Sequence, residues 1–257
     1  MLASPTMEKL RELRLLGMAK AWEEQLSSSQ YAKLSFEERL GHLVEREHTE
    51  RENRRLSSRL HKAKLRHHAC LEDINFSHTR GLDRTLVLTL AKCRWVKDHR
   101  NLLITGPTGV GKSFIACALA HKACLEGYTA LYIRSPRLLA DLAVARGDGR
   151  YPKVMQGLAK IDVLVIDDWG LSKLGDQDKR ELLEIMEDRH GLRSTVITSQ
   201  IPVKKWHELI GDSTIADAFL DRLVHNAYRM DLDGDSLRKK ENTLGEGEKD
   251  YNKGNKK

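Results

Sequence analysis

Aromatic side chains are scarce: four Trp, six Tyr and four Phe make up 5% of 257 residues. A base-stacking platform of the RRM or OB kind depends on such rings, so that class is excluded as the chain's main business. Long apolar runs are missing. The stretch Ile161 to Ile166 is interrupted by Asp162, and Phe114 to Ala120 holds only seven apolar residues, far short of the roughly 18 residues that a membrane helix needs. The first residues, Met1 to Glu8, carry no basic segment followed by an apolar core, so no secretory signal is expected. Cysteine is limited to Cys70, Cys93, Cys117 and Cys124, with no C-x-x-C spacing. These read as reduced thiols rather than disulfides or zinc ligands, and imply a cytoplasmic protein.

Charge is plentiful. Charged residues make up 32% of the chain, and 44 Lys and Arg against 37 Asp and Glu leave a formal +7. A basic balance favours polyanionic partners without proving one. Hydrophobic residues at 40% are enough for a globular core. The length allows one full domain plus a smaller module at roughly 100–200 residues per domain.

Residues 1–75 read as an all-helical N-terminal domain, with no proline after Pro5 and only Gly17 and Gly41. Thr6 can cap a first helix, in which Leu10, Leu13, Leu16 (or Leu15) and Met18 recur at helical spacing. Ser35 opens a second helix, with Glu38 three residues on forming a capping box, and the pattern runs to about His68. Its end is basic: Arg54, Arg55, Arg59, Lys62, Lys64 and Arg66 occur with no acid between Arg54 and His68. Arg55, Arg59, Lys62 and Arg66 step by four, three and four, which makes one stripe on a helix. The stripe suits the phosphates of DNA; a solvated helix face is the plainer alternative. The three histidines His61, His67 and His68 lack a convincing ligand set for a metal.

From about residue 84 helices and β-rich segments alternate. Strands are expected at Asn101–Thr105, Ala130–Arg134, Val163–Asp167, Thr195–Ser199 and Tyr228–Leu232. Helices are expected at Leu86–Val96, Ser113–Glu126, Pro136–Arg146, Asp178–His190 and Ala216–Asn226. That rhythm predicts an α/β fold, a five-stranded parallel sheet sandwiched by helices, over residues 76–244. Residues 245–257 hold little to bury and read as a disordered tail.

Gly106-Pro107-Thr108-Gly109-Val110-Gly111-Lys112-Ser113 satisfies G-x-x-x-x-G-K-[ST], after a predicted strand and ahead of a predicted helix. Glycines let such a loop turn its backbone N–H groups inward onto phosphates, and the helix that follows adds its positive end. Phe114 continues the segment. Lys112 is expected on the β/γ-phosphates and Ser113 on Mg²⁺. The strand Val163–Asp167 delivers Asp167 and Asp168 at its C-terminal end, where open α/β sheets bind ligands. Asp167 is read as a Mg²⁺ ligand and Asp168 as the group that polarises the attacking water. Ser199 and Gln200 form a polar exit from the next strand, and one of them could reach the γ-phosphate or the water.

Together these residues resemble the IstB-like, or DnaC-like, branch of the AAA+ ATPases over nearly the whole chain. Met7 to Ala19 is similar to the N-terminal signature of the IstB-like helpers, which are encoded beside the transposases of certain bacterial insertion sequences. Asn101 to Ala120 and Val163 to Gly170 are similar to Walker A and Walker B. Asp217 to His225 and Gly234 to Arg238 are similar to the distal motifs. The resemblance implies that Gln200, with Ser199 adjacent, is sensor 1. It implies that Arg222 is an arginine finger donated to the neighbouring subunit, and that Arg238 is sensor 2. Two departures stand out. Walker B ends Asp-Asp instead of Asp-Glu, which puts efficient intrinsic hydrolysis in doubt. Only about 25 residues follow the last strand, so the C-terminal lid is expected to be truncated.

The expected function is an ATP- and Mg²⁺-dependent ATPase that assembles as a homo-oligomer on duplex DNA, largely without sequence preference. It would assist a cognate transposase. A DnaC-like helicase loader is the alternative, and a P-loop small-molecule kinase is a third; the kinase would leave the basic N-terminal helices unexplained.

Overall fold

The computed structural model describes residues 5–76 and 80–237. By its internal contacts the chain divides into two compact units, one up to His61 and one from Lys62 onward, whereas the composition put the change of character near residue 75.

The first unit contains α1 (Pro5–Glu12), α2 (Leu16–Ser27), a short 3-10 turn at Ser29–Lys33, and α3 (Phe36–Ala63). The single opening helix expected from the leucine spacing is two. The chain breaks at Arg14, whose φ is +58°. The reason lies in the packing of Gly17 on α3. A Cβ on Gly17 would sit 2.6 Å from the Arg46 carbonyl oxygen and 2.7 Å from the Glu47 Cα. That closeness lets the buried Glu47 carboxylate accept from the Gly17 N–H at 2.7 Å and the Met18 N–H at 3.3 Å. A carboxylate at a helix N-terminus satisfies orphan donors and complements the helix dipole. The Ser35–Glu38 capping box forms as expected: Glu38 N–H donates to Ser35 Oγ, and Ser35 N–H to Glu38 Oε2. α3 ends at Ala63 rather than near His68, with Lys64 at φ +49°.

The second unit opens with α4 (Arg84–Ala91) and α5 (Arg94–Lys97). There follow β1 (Asn101–Thr105), α6 (Lys112–Leu125), β2 (Ala130–Arg134), α7 (Ser135–Gly147), α8 (Tyr151–Lys160) and β3 (Val163–Trp169). Then come α9 (Asp176–Arg189), β4 (Ser194–Ser199), α10 (Trp206–Ile210), α11 (Ser213–Val224) and β5 (Ala227–Asp231). All five predicted strands are present: β1 and β2 match at both ends, and β3, β4 and β5 are shifted by one or two residues. The segment 86–96 is two helices rather than one, because Cys93 takes φ +53°. Helices α8 and α10 were not anticipated.

The sheet is wholly parallel, in the order β2-β3-β4-β1-β5. Its central strands are buried from end to end, as a sheet covered on both faces requires. One core lies under α7 to α11, where Trp169 stacks on Phe219 at 5.1 Å between ring centroids, with Trp206 beside it. At the opposite strand ends from the P-loop, the buried Arg189 donates to Thr195 Oγ1 and to the carbonyls of Leu158, Ile161 and Ser194. Burial without a carboxylate partner pulls its pKa down to about 9. The chain beyond Leu237, with Arg238, the expected truncated lid and the tail, lies outside the described residues.

Candidate functional site

The order of β1 between β4 and β5 fixes where the site falls. The loop Gly106–Gly111 leaves β1 and enters α6 at Lys112, so the loop's amides and the positive end of α6 meet at the C-terminal edge of the sheet. Gly106, Gly109 and Gly111 have φ of +146°, +87° and +97°, values that L side chains rarely adopt. The loop is also hemmed in from behind. A Cβ would lie 2.2 Å from the Leu232 carbonyl oxygen at Gly106, 2.1 Å from Ser236 Oγ at Gly109, and 2.8 Å from an Arg80 guanidinium nitrogen at Gly111. Glycine is needed there for space as well as for conformation.

Lys112 is buried, and its ammonium donates to the carbonyls of Gly106 (2.8 Å) and Pro107 (2.7 Å), spanning the loop's mouth. Val110 is buried beneath the loop; Pro107 and Thr108 are exposed on its rim. Phe114, in the first turn of α6, has its ring 6.0 Å from that of His67.

Asp167 on β3 is fully buried. Ser113 Oγ donates to its two carboxylate oxygens at 2.8 and 3.0 Å, and the hydroxyls of Tyr132 and Thr198 also donate to it. A carboxylate beside a P-loop hydroxyl is the hard-oxygen set that suits Mg²⁺, so the residues present fit that ion. Asp168 takes φ +60°, where the β3–β4 register slips between Ile166 and Trp169. Aspartate tolerates this region better than most residues, and strained backbone of this kind clusters at functional sites. Arg134 Nε donates to Asp168 at 2.8 Å.

Along β4 side chains alternate in direction. Thr198 meets Asp167, whereas Ser199 Oγ turns the other way to the Trp169 carbonyl. Gln200 returns toward the loop and accepts from Thr108 Oγ1 at 2.7 Å. Of the two sensor candidates, the geometry brings Gln200 to the P-loop.

Arg222 is placed elsewhere. It pairs with Glu187 at 2.9 Å and donates to the Ala218 carbonyl. It lines an open cavity of about 720 Å³ with Lys204, Asp217, Asp221, His225 and Arg229. The basic stripe is also changed. Arg54 leans on Glu47 and the Glu50 carbonyl, and Arg55 pairs with Glu52 at 2.6 Å. Arg59 and Lys62 remain on the last turns of α3, with Lys64 just past its end. Arg66 is off the helix, its guanidinium 3.8 Å from Asp167.

Four residues at the site were not singled out by the sequence. Tyr132 and Arg134 sit two apart on β2, next to β3, and Thr198 is on β4. The fourth is Arg80, which is buried and donates to the carbonyls of Val110 (3.0 Å) and Asn75 (2.8 Å). Alternation along β2 toward the acidic strand end was the available signal for the first two. Arg80 carries no local signal.

Among the described residues no helix is long and apolar enough to cross a membrane. Comparison with known proteins gives a consistent result. The family described as IstB-like ATP binding protein matches residues 8–245. An insertion sequence ATP-binding protein of Sinorhizobium fredii is 54% identical over 239 residues, covering 93% of this chain and 98% of that one. The IS21 ATP-binding protein of Pseudomonas aeruginosa is 31% identical, covering 90% and 88%. In fold, the DnaC helicase loader aligns with a TM-score of 0.53 at 21% identity over 64% of this chain and 96% of its own. The replication initiator DnaA bound to AMPPCP and single-stranded DNA aligns at 0.54 and 17%, over 76% and 58%.

Proposed function

This chain belongs to the IstB-like ATP-binding protein family, and on that premise we propose that it hydrolyses ATP as a homo-oligomer on duplex DNA and assists a transposase. The observation that carries the reading is the pairing of Ser113 with the buried Asp167 across the mouth of a glycine loop whose lysine faces inward. Nothing in that arrangement calls for a second substrate.

In this reading the loop amides and Lys112 bind the phosphates of ATP, and Arg238 reaches the γ-phosphate of the same subunit. Ser113 and Asp167 hold Mg²⁺, which when bound offsets the phosphate charge. Asp168 orients water, and Gln200 holds the loop rim through Thr108. Arg222 serves the neighbouring subunit. Its partners, Glu187 and the Ala218 carbonyl, belong to α9 and α11 rather than to the phosphate loop, which supports a role outside its own site. A guanidinium supplied in trans can raise turnover by about 10³–10⁵, so hydrolysis becomes a property of the assembly. ATP that binds the assembled form better must favour assembly.

DNA contact is assigned to Arg54, Arg55, Arg59, Lys62 and Lys64. The transposase is inferred from the insertion-sequence relatives. The deciding experiment is a gel shift with duplex DNA at moderate salt. ATP should strengthen binding, and affinity should fall steeply with salt. Nucleotide-independent binding, or capture of a replicative helicase instead of a transposase, would overturn the reading.

A further inference from the structure

The segment that follows α3 runs along one face of α6. The ring of His67 lies against Phe114. The backbone N–H groups of Arg66 and His67 face the Cys117 sulfur. Cys70 Sγ approaches His121 Nδ1 at 4.0 Å. Residues 114, 117 and 121 step by three and four, so they share one helical face.

From this track the Arg66 side chain reaches the metal-binding end of β3. Its guanidinium lies 3.8 Å from Asp167 Oδ2 and hydrogen-bonds the Tyr132 oxygen, while the Tyr132 hydroxyl donates to the same carboxylate oxygen. Asp167 is fully buried, and a buried carboxylate needs both hydrogen bonds and a counter-charge. Three hydroxyls supply the first and Arg66 supplies the second.

We propose that Arg66 is a positioning residue that, with Tyr132, holds and neutralises Asp167 until a divalent cation reaches that carboxylate, the guanidinium and the cation competing for Oδ2. The proposal rests on the reading of Asp167 as a Mg²⁺ ligand. It adds that cation loading loosens the hold of residues 64–70 on α6, and by linkage that anything displacing this segment tightens cation binding.

The test uses the full chain and a fluorescent ATP analogue, with Mg²⁺ titrated at fixed nucleotide. In Arg66→Ala the half-saturating Mg²⁺ should fall by about two- to fivefold, the range of a partly exposed ion pair. Affinity for the analogue in EDTA should stay unchanged. Arg66→Lys should restore the wild-type midpoint, and Lys97→Ala, which removes an exposed charge elsewhere, should leave it in place. In the wild type, amide exchange across 64–70 should rise when Mg²⁺ is added to the ATP-bound protein. An unchanged midpoint in Arg66→Ala, an equal shift in Lys97→Ala, or exchange indifferent to Mg²⁺ would each overturn the proposal and leave the ATP site standing. A wild-type protein whose nucleotide binding ignores Mg²⁺ would overturn both.

Discussion

Ser113 Oγ donates to both carboxylate oxygens of Asp167, at 2.8 and 3.0 Å, joining the first turn of α6 to the end of β3. Lys112 stands one residue earlier, its ammonium held by the carbonyls of Gly106 and Pro107. In the proposed function that ammonium exchanges the carbonyls for phosphate oxygens when ATP enters. Lys112→Ala removes a charge-assisted contact while leaving Ser113 and Asp167 together. Calorimetry should find ATP affinity reduced by about 10- to 100-fold with the fold intact by circular dichroism.

Arg222→Ala should separate binding from turnover. Nucleotide affinity should stay near wild type while ATP hydrolysis drops by about 10³ or more. Mixing gives the sharper result. Lys112→Ala chains keep the arginine and lack a working loop; Arg222→Ala chains keep the loop and lack the arginine. Combined in equal amounts, two inactive preparations should regain part of the wild-type rate. No recovery would remove the arginine from the neighbouring site.

Two glycines on the N-terminal helices should respond oppositely to alanine. At Gly17 the new methyl would meet the backbone of Arg46 and Glu47 within 2.6 to 2.7 Å. That overpacking should cost about 1–3 kcal/mol, read as a lower melting temperature. At Gly41, exposed on α3, nothing lies within 4 Å of the new Cβ. The same change there should stabilise by about 0.5–1 kcal/mol.

Glu47 gives the N-terminal unit a pH dependence. Burial alone would raise its pKa, but Arg51 and the amides of Met18 and Gly17 outweigh burial and hold it below the usual 4.5. A carboxyl depressed in the folded state stabilises above its unfolded pKa, and that contribution is lost as pH falls through the lowered value. Melting temperature should therefore drop as pH falls below about 4.5. Glu47→Gln should start lower at neutral pH and change less on acidification.

The strands and the phosphate loop were legible because each is a local pattern. A buried parallel strand writes itself as Leu102-Leu103-Ile104 or Val163-Leu164-Val165-Ile166, and the loop is a fixed spacing of glycines ending at Lys112. What could not be read was placed by tertiary contact. The N-terminal leucines keep helical spacing straight through Arg14, where the chain nevertheless breaks so that Gly17 can seat against α3. Helix α8 opens with Tyr151-Pro152 in a stretch with no strong apolar run, so its helical character depends on Met155 and Leu158 reaching the core. Arg66 fits the charge stripe by spacing alone. Its true neighbours, Tyr132 and Asp167, come from β2 and β3, which no helical spacing could indicate.

The phosphate loop is braced by segments from opposite ends of its unit. Arg80 holds the Val110 carbonyl, the Asp233 N–H holds the Arg80 carbonyl, and the Leu237 N–H holds Gly109. Trimming the chain through Arg80 should thus weaken nucleotide affinity without deleting a single phosphate ligand. Deletion mapping on this protein would then misplace the pocket, pointing to scaffolding as though it were recognition.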